Sequence, residues 1–178
     1  MKSLSAVALT LLVLALLPLR ADDADAHYVN NGYSLLYKLC DQEKPLDQIL
    51  IVKTTPKEVA EFLHQVSAAA GSDVDQLETL RDHDKAIRFD QRGLGQFEED
   101  TRGSIQADKQ HLLLFGTTGS SFARALLVTQ IEASTYGSNL AQVLAAKEPN
   151  AHRAAVVRQI GEKWKKITAR AYALLNAQ

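Results

Sequence analysis

The sequence predicts an all-α, single-domain bundle of about four to five helices that ends in an antiparallel helix hairpin. Three segments place apolar residues at helical spacing, and only about four residues separate the last two, which is typical of an antiparallel pair. The chain of 178 residues is long enough to bury a sizeable core. Three short apolar stretches (residues 49–53, 86–89 and 111–115) leave an α+β fold with a small antiparallel sheet as the fallback prediction.

Residues 1–21 predict a signal peptide. Lys2 gives a positive start, and residues 4–17 form an almost unbroken apolar run, about the length of a signal-peptide core and short for a membrane-spanning helix. Cleavage is expected after Ala21 or after Ala26. Residues 22–178 then form one helical domain of an exported protein with no stable membrane insertion, periplasmic in a Gram-negative source and secreted otherwise.

A short helix is expected over residues 33–42, after a turn at the Asn-Gly sequence 31–32. Cys40 shares one face of this helix with Tyr33 and Leu36, so its thiol is expected to be buried as a small apolar group. The competing interpretation is an intermolecular disulfide. Cys40 is the only cysteine, which excludes an internal disulfide and a multi-cysteine metal site.

The next helix is expected to begin at residues 55–58, Thr-Pro-Lys-Glu, which match a capping box with proline at the first helical position. Apolar residues then recur at helical spacing until Gly71, which is expected to end the helix. A further helix is expected over residues 73–86, capped by Ser72 or Asp73.

The helix over residues 121–146 is apolar nearly all round in its first half, which is typical of a central, buried helix. Steps of four and three residues define a seam that is expected to face a partner helix. This seam consists of Phe122, Leu126, Thr129, Ala133, Tyr136, Leu140 and Val143.

The last helix is expected to begin at the cap residue Asn150 and to carry three unbroken heptads. Trp164, the only tryptophan, lies in the middle of this apolar seam and is expected to be a core anchor. The seam consists of Val157, Ile160, Trp164, Ile167, Ala171 and Leu174.

Charge is separated along the chain although the net charge is −1. Residues 73–100 hold nine acids and four bases, whereas residues 150–178 hold six bases and one acid. The near-zero total removes the electrostatic reason to expect nucleic-acid binding. The two segments form either solvated faces that cancel, or an acidic part that meets its own basic helix, a second copy or an outside partner.

No complete catalytic or metal-binding motif is present. Glu61 and His64 have the spacing of a bundle metal site, but helical periodicity directs them away from the apolar face, so they are expected to be solvated. An alternative metal set would use Asp108, His111 and Glu132. Because nothing assembles a nucleophile, a base and an orienting group, an enzyme is not expected, and no cofactor is predicted.

Two short stretches resemble parts of known families. Residues 130–141, "QIEASTYGSNLA", resemble helices of small ferritin-like proteins, which implies a carboxylate and histidine metal site, although the full ligand set is missing. Residues 30–40, "NNGYSLLYKLC", resemble the start of a family of exported helical immunity proteins, although those usually carry further cysteines. This second resemblance implies an inhibitor that binds a protein target.

The sequence therefore favours an exported, non-enzymatic binding or accessory protein that acts through a protein partner. Its expected partner-binding residues are the cations of the last helix, which suit an acidic protein surface. These residues are Lys163, Lys165, Lys166 and Arg170. The alternatives are a ferritin-like metal protein and an exported immunity-type inhibitor.

Overall fold

The computed structural model describes the backbone of residues 21–178 and the side chains of residues 26–178. Residues 1–20, which hold the predicted signal peptide up to its last residue, lie outside the described part. Residues 21–178 form five α-helices and no strand, which confirms the all-α prediction and makes the fallback prediction of a sheet wrong. The helices are α1 (Ala21–Glu43), α2 (Lys57–His83), α3 (Gln96–His111), α4 (Gly119–Lys147) and α5 (Ala151–Asn176).

The three short apolar stretches cover the ends of the bundle. Residues 49–53 lie in a 3-10 helix, Leu46–Ile51, and the turn after it, while residues 86–89 lie in the irregular connection after α2. Residues 111–115 continue α3 into a π-helical turn, Leu112–Gly116. The second and third stretches each bury a side chain in the core, Ile87 and Leu113, so their apolar character reflects core contacts and not strand pairing.

Four helices (α1, α2, α4 and α5) surround the core, and each is antiparallel to both of its neighbours. Side-chain contacts join the end of α1 to the first half of α4 (Glu43 with Gln130) and the middle of α1 to the residue after α4 (Tyr33 with Glu148). The start of α5 is joined to the residue after α2 (Arg153 with Asp84). Since α2 and α4 therefore run in the same direction, the connection between them must return along the whole bundle. Residues 84–118 make this crossover, and α3 is its helical part.

The α4–α5 pair forms the predicted antiparallel hairpin, and α5 matches its prediction closely. Asn150 caps α5, because its side-chain oxygen accepts hydrogen bonds from the backbone amides of His152 and Arg153, each 3.0 Å long. All six residues of the predicted α5 seam are buried. The single tryptophan, Trp164, is therefore a core residue, as its position in the seam indicated.

The predicted seam of α4 is only partly correct. Phe122 and Leu126 are buried, but Tyr136 and Leu140 are half-buried and Val143 is 50% exposed. In the second half of α4, small residues instead line the face that meets α5 and the rest of the core. These residues are Ser134, Gly137, Ser138 and Ala141.

The contact between α4 and α5 is close because glycine lies at both sides of it. A Cβ atom on Gly161 would lie 3.1 Å from the Cβ of Ala141 and 3.3 Å from the backbone oxygen of Ser138. A Cβ atom on Gly137 would lie 3.2 Å from the ring of Trp164. The spacing of apolar residues did not reveal this face, because small residues pack closely without being strongly hydrophobic.

The two glycine breaks predicted in the first half of the chain are wrong. Gly71 lies inside α2, which joins the two helices expected over residues 55–71 and 73–86, and the predicted turn at residues 31–32 lies inside α1. A glycine costs a helix only about 1 kcal/mol, which burial of the surrounding apolar face outweighs. Gly32 also serves close packing, since a Cβ there would lie 2.9 Å from Leu144.

The predicted helix caps in this region are also wrong. The cap residue of α2 is Pro56, no side chain caps the helix, and the Thr55 hydroxyl is buried without a hydrogen-bond partner among the described atoms. Asp73 does not cap a helix but lies fully buried in the middle of α2. The buried Cys40 thiol, in contrast, confirms the prediction for that residue.

Within residues 21–178, no helix is both long and apolar enough to cross a membrane.

The interior position of Gly71 makes a testable prediction. Gly71→Ala should raise the free energy of unfolding by about 0.5–1 kcal/mol, because alanine favours the helix and the new Cβ would meet only the Lys44 side chain, 3.9 Å away. Urea unfolding followed by circular dichroism measures this change.

The matched control is Gly161→Ala, which makes the same change in α5 against the backbone of α4. This variant should be destabilised despite its better helix propensity, by about 1–3 kcal/mol, since α4 would have to move. If Gly71→Ala is instead the destabilised variant, Gly71 ends a helix, as the sequence suggested.

Candidate functional site

The five histidines are all exposed on the surface of the described chain. His64 bonds to Asp47 at 2.9 Å, and this hydrogen bond lowers the pKa of the Asp47 carboxyl. His83 bonds to the backbone oxygen of Thr79 in its own helix. Among residues 26–178, no three His, Cys, Asp or Glu side chains come together where they could hold a metal ion.

The Glu61 and His64 pair is exposed, as helical periodicity predicted. Glu61 lies 3.6 Å from the ammonium of Lys57, one turn earlier on α2, while His64 turns toward Asp47. The two side chains therefore act separately and form no common site.

The alternative metal set is not brought together. Asp108 and His111 lie exposed at the end of α3, where the His111 ring packs against Phe115. Glu132 is exposed on α4 and pairs with Lys109 of α3. Among the described side chains, the interior of the bundle does not gather the carboxylates that a ferritin-like metal site needs.

The four predicted partner-binding residues separate into two groups. Lys165, Lys166 and Arg170 are exposed on α5 and have no ion-pair partner among the described side chains. Lys163 is different, because its ammonium reaches into the bundle and pairs with the buried Asp73. A shallow, open depression on the outer side of α5 lies beside Lys163 and Lys166.

Asp73 is a buried polar residue that sequence reasoning missed. One carboxyl oxygen accepts a hydrogen bond from Lys163, and the other accepts one from Nε1 of Trp164 at 2.9 Å. Burial raises the pKa of this carboxyl, while the bonds from Lys163 and Trp164 oppose that shift. The sequence signal was its place seven residues after Val66 and three after Ala70, on the apolar face of α2. The predicted break at Gly71 concealed this position.

A second buried carboxylate, Glu148, holds the end of the hairpin. It accepts hydrogen bonds from the Tyr33 hydroxyl (2.7 Å), the Arg153 guanidinium (2.7 Å) and the backbone amide of Asn150 (2.8 Å). Arg153 also pairs with Asp84, beyond the end of α2. Burial raises the pKa of the Tyr33 hydroxyl, so tyrosine is the hydrogen donor in this network.

A third carboxylate, Glu43 at the end of α1, accepts a hydrogen bond from Nε2 of Gln130 at 3.0 Å. The other end of the Gln130 amide, Oε1, is buried and has no partner among the described atoms. Burial raises the pKa of the Glu43 carboxyl, and the bond from Gln130 and the charge of Lys109 partly oppose this shift. Glu43, Asp73 and Glu148 each have separate partners, so these carboxylates connect helices and form no shared site.

Comparison with models of protein families, with curated proteins and with solved structures found no match for this chain.

The Glu43–Gln130 contact predicts a stabilising substitution. Glu43→Gln should raise the free energy of unfolding at neutral pH by about 1 kcal/mol, because a glutamine amide can accept from Gln130 Nε2 and also donate to the unpartnered Oε1. Urea unfolding at a series of pH values measures the difference.

The pH dependence has a definite sign. Because the folded protein holds the Glu43 proton more tightly than the unfolded chain does, wild-type stability should fall as pH rises from the unfolded pKa of about 4.3 through the raised folded pKa. Glu43→Gln should show a smaller fall, because only the contribution of the buried Asp73 carboxyl remains, whereas the exposed control Glu58→Gln should keep the wild-type fall. A Glu43→Gln variant that loses as much stability between acid and neutral pH as wild type does would contradict the assignment.

Proposed function

We propose that this protein is an exported, non-enzymatic binding protein that holds an acidic surface of a protein partner through the outer side of α5. The binding surface, named here the basic arc, consists of Arg158, Lys165, Lys166 and Arg170. The observation that carries the proposal is that all four are exposed and have no ion-pair partner among the described side chains.

The charge pairing within the chain supports this choice of surface. Residues 150–178 hold six bases, and two of them pair with the acidic segment, residues 73–100. Arg153 pairs with Asp84, and Lys163 pairs with Asp73. The acidic part thus meets its own basic helix at two places, and four bases remain for an outside partner. Charges that are exposed and spread over a helix face steer and orient an oppositely charged surface.

Export and the absence of catalysis rest on separate observations. The positive start and the apolar run at residues 4–17 support export. The scattered, exposed histidines and the buried thiol of Cys40 support a role without nucleophilic or acid–base chemistry. Among the described residues, no side-chain cluster favours the metal alternative. The stretch that resembles immunity proteins, residues 30–40, contributes Tyr33, Leu36 and Cys40 to the core.

The test compares two double variants that remove the same charge. Lys166→Gln with Arg170→Gln changes the basic arc, while Lys38→Gln with Lys147→Gln changes exposed lysines on other helices. Each should alter the free energy of unfolding by less than about 0.5 kcal/mol per site. Affinity capture from exported proteins at low and high salt should show a bound acidic protein that the arc variant and added salt both release, and that the control retains.

The same exported fraction should contain the chain itself, with Asp22 or His27 as its first residue. If wild type, arc variant and control hold the same proteins and salt has no effect, the basic arc is a solvated face and the proposed function is wrong. Stoichiometric iron or manganese in protein purified without an affinity tag would instead support the metal alternative.

A further inference from the structure

The outer side of α3 and the turn that follows it expose large apolar side chains. Phe97 is 86% exposed, Phe115 is 76% exposed, and Ile105 and Leu112 are each almost half exposed. At 100° per residue, Phe97, Ile105 and Leu112 lie within about 80° of one another, so they form one stripe along the helix. We name these three residues the α3 stripe.

The contacts of α3 leave this stripe outside the bundle. The helix packs toward α4 through polar groups: Lys109 pairs with Glu132, and the Arg102 guanidinium lies over the Tyr136 ring, 5.1 Å from its centroid. No residue of α3 is buried. A surface helix ordinarily turns its apolar side to the core, whereas α3 leaves both its apolar side and most of its charges in water.

Helix α3 has little other support. It has 16 residues with Gly103 in the middle, and an isolated helix of this length is only marginally stable in water. Nothing lies within 4 Å of the Cβ position of Gly103, so that glycine is not needed for close packing in the bundle. Burial of the α3 stripe against a second molecule would supply the apolar contact that this helix lacks.

The charge of α3 identifies the kind of partner. Residues 96–116 hold four acids and two bases. Both bases contact α4, Lys109 through Glu132 and Arg102 through the Tyr136 ring. Arg102 also pairs with Glu98 of its own helix. Asp100 and Asp108 are exposed and have no ion-pair partner among the described side chains. The stripe thus carries acidic groups within and beside it: at 100° per residue Asp108 lies between Phe97 and Leu112, and Asp100 lies about 60° beyond Phe97. Such a face disfavours an anionic lipid surface and a two-fold contact with a second copy, where like charges would meet.

We propose that α3 is a docking helix that inserts the α3 stripe into an apolar groove lined by Lys and Arg residues on a partner protein. Amphipathic helices bind such grooves through apolar residues spaced along one face. The surface is separate from the basic arc and has the opposite charge, so it fits a different partner surface. Failure of the proposed α5 interaction would leave this proposal unaffected.

The first experiment places a photo-crosslinking amino acid, p-benzoylphenylalanine, at Ile105 in the full chain in its producing cell. The control places it at Gln110, which is exposed on the opposite side of α3. The Ile105 position should crosslink to one protein, and the crosslinked segment, mapped by mass spectrometry, should be apolar with Lys or Arg beside it. No crosslink from Ile105, equal crosslinks from both positions, or a crosslink to a second copy of this chain would overturn the proposal.

In the second experiment, the protein that crosslinks at the Ile105 position is purified, and its affinity for variants of this chain is measured by titration. Ile105→Ser should weaken binding about tenfold or more. Asp100→Asn with Asp108→Asn should weaken it several-fold and reduce its salt dependence, whereas Asp41→Asn with Asp75→Asn, which alters exposed acids on α1 and α2, should not. Unchanged helical circular dichroism would show that each variant is folded, and equal affinities for all variants would refute the docking role.

Discussion

The burial of one indole ring connects the helices of the core. Trp164 of α5 is fully buried and lies against α4 where Gly137 has no side chain, and its Nε1 donates to Asp73 of α2 at 2.9 Å. A buried N–H group and a buried carboxylate are costly unless each has a hydrogen-bond partner, and here each is a partner of the other. The contact forms only when α2 turns Asp73 toward the core and α4 lies close to Trp164 at Gly137. It therefore favours this arrangement of α2, α4 and α5.

The arrangement of the surfaces follows from this closed core. The crossover helix α3 contributes no buried residue to the core that the other four helices form, and its apolar residues Phe97 and Ile105 are exposed. Lys163 and Arg153 bond to acids of the acidic segment, which leaves the other cations of α5 in water. The two proposed binding surfaces, one basic and one that combines apolar and acidic residues, are parts of the described chain that the core packing does not use.

Sequence reasoning succeeded where one helix carried its own signals and failed where a neighbouring helix decided the outcome. The Asn150 cap and the α5 heptads are local patterns, and the structure has both. Gly71 was misread because the cost of glycine in a helix is small compared with burial of α2. Three of the four predicted partner-binding residues are exposed, but the inward bond of Lys163 depends on Asp73, 90 residues away.

A double-mutant cycle between Trp164 and Asp73 tests the central contact most directly. Trp164→Phe, Asp73→Ala and the combined variant are compared with wild type by urea unfolding followed by circular dichroism. If the indole donates to the buried carboxylate, the combined loss should be smaller than the sum of the single losses by about 1.5–3 kcal/mol, the range for hydrogen bonds to charged groups. Losses that add to within about 0.5 kcal/mol would mean that the two side chains do not interact, and would contradict this account of the core.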